Sequence, residues 1–183
     1  MYKKVTLKDV VRVPPARFGE NLKEAIISIL RESSAGIWDK DLGLVLSIID
    51  VHRVGTGKII PGDGAAYYDV EYEVLSYDPV MHEVVEGEIA EILEFGAFIR
   101  LGPVDGLVHV SQITNDFISF DSKQRTLMAK ESNRVLKEGD KVRARIVTIS
   151  KKKDGTKIGL TLRQPGLGKL EWIQEDLKKE ESA

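Results

Sequence analysis

The sequence contains no cysteine. That excludes disulfides and thiolate metal sites, and it fits a reducing compartment. Histidine is scarce, and His52, His82 and His109 have no metal-ligand spacing. No apolar run approaches the roughly 20 residues that a bilayer-spanning helix needs. The opening MYKKVTLKDV lacks the apolar stretch of a signal peptide. These absences predict a cytoplasmic chain with no cofactor, no metal and no membrane association.

Signals for catalysis are also sparse. Gly55-Thr56-Gly57-Lys58 imitates a phosphate-binding loop, but Ile59 follows the lysine and His52 stands where the earlier glycine belongs. Gly55 and Gly57 lack the third glycine of a dinucleotide fingerprint. Carboxylates are plentiful, yet no pair stands out from a solvated surface. The chain is therefore expected not to be an enzyme by itself.

What is present is enough for a packed core. The 183 residues are 42% hydrophobic, sufficient for one large domain or two small ones. The formal net charge is only -2, but its distribution is uneven. Nine Lys/Arg lie between Lys141 and Lys169 against the single acid Asp154, while Glu83 to Glu94 holds five glutamates and no base. A phosphate backbone responds to local potential, so such a basic segment is compatible with nucleic acid.

Residues 2–13 alternate loosely and read as a strand stopped by Pro14-Pro15. Phe18, Leu22, Ala25, Ile26, Ile29 and Leu30 recur at helical spacing, which predicts an amphipathic helix. Residues 44–54 are rich in β-branched side chains and read as a largely buried strand. Residues 67–76 alternate cleanly, with Tyr68, Val70, Tyr72 and Val74 on one face. A glycine-rich loop, 55–64, joins these two strands. The order strand, helix, strand, loop, strand is an α+β layer with one helix on an antiparallel sheet. Asp78-Pro79 marks a break, and the chain divides into an N-terminal domain at 1–80 and a C-terminal one at 81–183.

The second half carries five short strand candidates separated by Gly, Pro and charged turns, the pattern of an all-β oligonucleotide-binding (OB-fold) barrel. An insert at 114–135 parts the third from the fourth. A tail helix is expected, with Leu170, Ile173 and Leu177 on one side. Strand parity places Ala97, Ile99, Val108, Val142, Ala144, Ile146, Ile158, Leu160 and Leu162 inward. It leaves Phe98, Arg100, His109, Lys141, Arg143, Arg145, Lys157, Thr161 and Arg163 facing out. Exposed rings and cations are the parts from which single-strand binders are built. Alternating charge on a strand is equally consistent with an ordinary solvated face, and Phe95 before Gly96 with a barrel cap.

The stretch GEIAEILEFGAFIRLGPVDGLVHVSQI followed by LKEGDKVRARIVTISKKKDGTKIGLTLR resembles the S-one RNA-binding domain over roughly residues 82–165. The resemblance implies RNA-contacting roles for Phe95, Phe98 and His109, with Arg143 and Arg145 nearest to the family's fourth-strand cations. Ser150 departs from the family, which often has an acid there, and the insert is longer than usual. Ahead of the barrel stand VVRVPPARFG, DLGLVLSIIDV and PGDGAAYYDVEYE, and behind it LGKLEWI. In that order they resemble the E-prime family of archaeal RNA polymerase stalk subunits, counterparts of the seventh subunit of eukaryotic polymerase II. The resemblance implies a truncated ribonucleoprotein-like N-terminal fold and no catalytic residues. It also implies a heterodimer with the F component of the polymerase, docking on the polymerase core, and binding of nascent single-stranded RNA. It further implies that Lys58, Ile59, Ile60 and Pro61 form a tip entering the core enzyme, whereas the residues alone fit a loop folded back with its isoleucines as core. Val80, Met81 and Trp172 are apolar positions expected to meet the F component. A free translation or RNA-decay factor and a nuclease with an S-one appendage are the other classes that the barrel allows.

Overall fold

The computed structural model describes residues 1–152 and 155–181, in two compact units, Met1–Asp78 and Pro79–Ala183. The side chains of Lys151, Lys152 and Lys153, together with Asp154, belong to the basic segment but lie outside the described residues.

In the first unit the strands are β1 (Tyr2–Val13), β2 (Trp38–Asp39), β3 (Gly43–Val54), β4 (Lys58–Ile59) and β5 (Ala66–Tyr77), with helix α1 at Leu22–Ser34. The sheet order is β1-β5-β3-β2, and β4 pairs with β5. β1 and β5 run antiparallel in unbroken register from Tyr2 opposite Tyr77 to Val13 opposite Ala66. The helix begins where Asn21 accepts hydrogen bonds from Lys23 N and Glu24 N at 3.0 and 3.4 Å, satisfying amide groups that the first turn leaves free. Ala25, Ile26 and Leu30 are buried on the sheet, where Ile26 and Leu30 pack with Val11, Val13, Val45, Ile48, Val51 and the inward row of β5. Phe18 and Leu22 depart from the predicted apolar face, and Leu22, in the first turn of α1, is exposed. Phe18 departs further. It lies before the helix, at the end of a 3-10 turn over Pro15–Arg17, and is 53% exposed.

β3 is buried in an unusual rhythm. Its ladder with β5 skips Leu46, Ile49 and His52, one extra residue at each of three register shifts. Each bulge resets the pleat. Inward side chains therefore recur at every third position, Val45, Ile48 and Val51, rather than every second.

The second unit comprises β6 (Val84–Leu93), β7 (Gly96–Arg100), β8 (Asp105–His109), β9 (Ile118–Asp121), β10 (Thr126–Ala129), β11 (Val135–Leu136), β12 (Lys141–Lys152), β13 (Gly155–Thr161), β14 (Gly168–Lys169) and helix α2 (Leu170–Glu181). The path β13-β8-β7-β6-β12 is closed by β12 pairing with β13, and β13 runs parallel to β8. This is a five-stranded barrel with a fully formed core of Ile89, Ile92, Ala97, Ile99, Val108, Val142, Ala144, Ile146, Ile158 and Leu160. Gly96 is required by close approach, because a Cβ there would collide with the Val108 carbonyl oxygen. The insert is not irregular. It folds, together with Leu136 just after it, as a separate sheet, β11-β10-β9, whose Leu127 and Leu136 join the barrel core.

Two expectations about side chains are corrected. Trp172 is 8% exposed and belongs to the barrel core, so α2 closes the barrel through this ring while Leu177 stands 54% exposed. Thr161 faces outward by parity but is buried, because its hydroxyl donates to Gln112 Oε1 at 3.0 Å beneath the 3-10 turn that follows β8.

Candidate nucleic-acid interface and docking tip

β7 and β8 build the aromatic part of the site. Ala97 and Ile99 fill the core, which turns Phe98 and Arg100 to the outside, half-buried and exposed respectively. Phe98 stands opposite Leu107 on β8 and Glu91 on β6. Phe95, 48% exposed, precedes β7, and its carbonyl accepts from Val110 N at 2.9 Å. Gly96 is in register with His109. The ladder therefore brings Phe95 and His109 together at one strand end, with Phe98 two residues along.

Ser111, which sequence reasoning passed over, sets the histidine's chemistry. Its backbone N–H donates to His109 Nδ1 at 3.3 Å, and its hydroxyl lies 2.9 Å from the same nitrogen. An N–H only donates, so Nδ1 is an acceptor and the proton of the neutral ring sits on Nε2. His109 thus offers a donor to solvent. The only sequence cue was the short polar turn after β8.

The cations are divided. Lys141 is opposite Glu88, which is opposite Arg100 on the other side. Arg143 is opposite Glu86 and bonded to it, with Nε 2.9 Å and Nη2 2.8 Å from Oε1. Arg145 lies between Val84 and Thr161, half-buried, its Nε without a hydrogen-bond partner. Arg100 thus shares β7 with Phe98, whereas Lys141, Arg143 and Arg145 lie on β12, beyond the glutamates of β6. Adjacent strands are about 4.8 Å apart, so the two groups are separated by roughly 10 Å and by a row of carboxylates.

In the first unit, Lys58 and Ile59 pair with Tyr67 and Ala66, and Lys58 Nζ reaches Asp69 at 3.0 Å. Ile59 is 75% and Ile60 48% exposed, and Pro61 is exposed as well. The isoleucines are therefore not core, which answers the alternative that the residues alone left open. The base of the tip is fixed. Arg12 grips Asp63 with two hydrogen bonds of 2.9 and 2.8 Å, and Tyr67 donates to Asp63 at 2.6 Å. The bonds from Arg12 first, then Tyr67, hold the Asp63 carboxyl well below the usual carboxylate range. Gly62 turns the chain at φ +91°, a region that disfavours side chains.

No helix among the described residues is long and apolar enough to cross a membrane. A model described as "SHS2 domain found in N terminus of Rpb7p/Rpc25p/MJ0397" matches residues 8–64, and the S1 RNA binding domain matches residues 78–161. An SHS2 unit followed by an S1 barrel defines a class of two-domain subunits of DNA-directed RNA polymerases. The DNA-directed RNA polymerase subunit Rpo7 of Saccharolobus shibatae is 44% identical over 180 residues, 97% of this chain and 100% of that protein. Rpo7 of Sulfolobus acidocaldarius is 43% identical over 98% of both chains. Subunit 7 of RNA polymerase II from Arabidopsis thaliana is 28% identical over 63% of this chain and 66% of its own. The chain belongs to the Rpo7 family of RNA polymerase subunits and carries an S1 RNA-binding domain.

Proposed function

We propose that the chain is a non-catalytic stalk subunit of an archaeal-type RNA polymerase in the cytoplasm. It pairs with the F component, docks on the core through Lys58, Ile59, Ile60 and Pro61, and holds nascent single-stranded RNA. The observation that carries the RNA reading is the gathering of Phe98, Arg100 and His109 on β7 and β8 of an S1 barrel, with Phe95 just before β7. Rings stack any base, at about 1–3 kcal/mol each, and cations hold phosphate, so sequence preference is slight. Lys141, Arg143 and Arg145 supply further positive charge on β12. Val80 and Met81, 41% and 46% exposed, support a partner surface, which in a stable pair exceeds about 1,000 Å².

Anisotropy titration with labelled oligouridylate tests the RNA face. Phe98→Ala with His109→Ala weakens binding at least tenfold while the chain stays folded. Arg143→Ala with Arg145→Ala reduces the salt slope, by about 0.7 for each phosphate no longer held. A quadruple variant that binds like the parent chain sinks the assignment. Analytical ultracentrifugation with the added F component tests the pairing, and a persistent monomer contradicts it.

A further inference from the structure

We infer that the 114–135 insert continues the RNA track past β8, with Phe117 as a stacking platform and Arg163 and Lys130 as phosphate-binding cations. The inference rests on the RNA reading above and adds residues that it does not include. The insert's inner side has a packing role, since Leu127 joins the barrel core. Phe117 has none. It is 67% exposed, more than any other aromatic ring among the described residues. Its position is nonetheless set. Lys130 N donates to Phe117 O at 3.0 Å, and Lys130 Nζ stands 4.8 Å from the ring centroid. One ring face thus carries an ammonium group, and the exposure leaves room for a base on the other.

Arg163 follows the end of β13, which is stitched to the turn after His109. Leu162 N donates to Gln112 O at 2.8 Å, and Arg163 N to Thr161 Oγ1 at 3.3 Å. Arg163 Nε donates to Asn115 Oδ1. That partner is neutral, so the guanidinium keeps its full charge for a ligand, whereas Arg143 faces Glu86. Among the described residues, no carboxylate ion-pairs with Arg163 or Lys130. Of the two acids in the cleft beside Arg163, Asp176 is ion-paired with Arg134 at 2.5 Å, and Asp116 is held by a neutral serine, accepting from Ser132 N and Oγ at 3.2 and 2.6 Å. Arg163, Asn115 and Arg134 border a cleft of about 330 Å³.

The patch is within reach of the β7–β8 face. Phe117 follows His109 by eight residues, at most about 28 Å even if fully extended. Oligonucleotide-binding barrels engage about 4–16 nucleotides, enough to cover both. Stacking is sequence-tolerant, and the ligand class is therefore single-stranded RNA without base preference.

The test uses the full chain and labelled oligouridylates of about 5 and about 15 nucleotides. The triple variant Phe117→Ala, Lys130→Ala, Arg163→Ala is expected to bind the short oligomer like the parent chain. It binds the long one about tenfold more weakly, with a salt slope lower by about 1.4 for two phosphates no longer held. Phe117→Tyr alone keeps long-oligomer affinity and Phe117→Leu loses part of it, which separates stacking from bulk. Parental affinity of the triple variant for the long oligomer overturns the inference. So does equal binding by the Tyr and Leu variants. If the triple variant keeps long-RNA binding but fails to assemble with polymerase, the patch is a protein-binding surface and the inference also falls. The underlying RNA reading fails separately, through undiminished short-oligomer binding by Phe98→Ala with His109→Ala.

Discussion

Replacing Trp172 by Ala removes the ring that closes the barrel. The residue is 8% exposed, sits in the core cluster, lies against Gly168 and carries the Arg134 guanidinium 5.4 Å above its ring. Truncating a buried tryptophan costs about 3–5 kcal/mol, and removing an exposed cation–π interaction adds roughly 0.5–1 kcal/mol. A loss of about 4 kcal/mol corresponds to roughly 15–30 °C in the melting temperature of a domain near 100 residues. Thermal unfolding by circular dichroism is the assay. Only the transition of the Pro79–Ala183 unit moves, and Trp172→Phe recovers most of the loss. If Trp172→Ala melts within about two degrees of the parent, the ring is not core and its closing role is wrong.

Ile59→Ser with Ile60→Ser leaves unfolding within about 0.5 kcal/mol per site, as exposed positions do, while assembly on the core enzyme is lost in a pull-down; a large drop in stability refutes the docking tip. Asp63 has a depressed folded-state pKa, so its contribution is fully present above the unfolded value near 3.9 and fades as pH falls toward the folded one. The exchange rate of the Ala65 amide, which donates to Asp63 at 3.2 Å, therefore differs between wild type and Asp63→Asn at pH 6. That difference narrows below about pH 4, and a constant one contradicts the Arg12–Asp63 clamp. Gly87→Ala drives a Cβ toward the Arg100 carbonyl oxygen and the Ile99 side chain, and urea unfolding shows a loss of about 1–3 kcal/mol; an unchanged midpoint refutes that packing.

Strand parity was legible wherever the pleat is regular. Val70, Tyr72 and Val74 on β5 and the alternating residues of β7, β8 and β12 point as their period of two dictates. It failed where an extra residue or a cover intervenes. The three bulges of β3 convert period two into period three, and LVLSIIDVHRV carries no glycine or proline to announce them. Thr161 is outward by period and buried by a turn that comes from distant sequence. Phe18 fits the helical period but precedes the start that Asn21 enforces. In the site, the residue types were legible and the pairing was not. That Glu86 sits beside Arg143, and that β6 divides the two groups of cations, follows from barrel closure, which no local spacing encodes. The insert's apolar residues were visible, but their fold into a separate sheet depends on the barrel core that they cover.

The central claim is that transcript RNA runs over β7 and β8. The direct measurement is photocrosslinking in a reconstituted elongation complex, with 4-thiouridine placed in the emerging transcript and the crosslinked peptide mapped by mass spectrometry. The account predicts crosslinks within residues 95–109 that disappear in Phe98→Ala with His109→Ala. Crosslinks confined to the first unit, or undiminished in that variant, would contradict it.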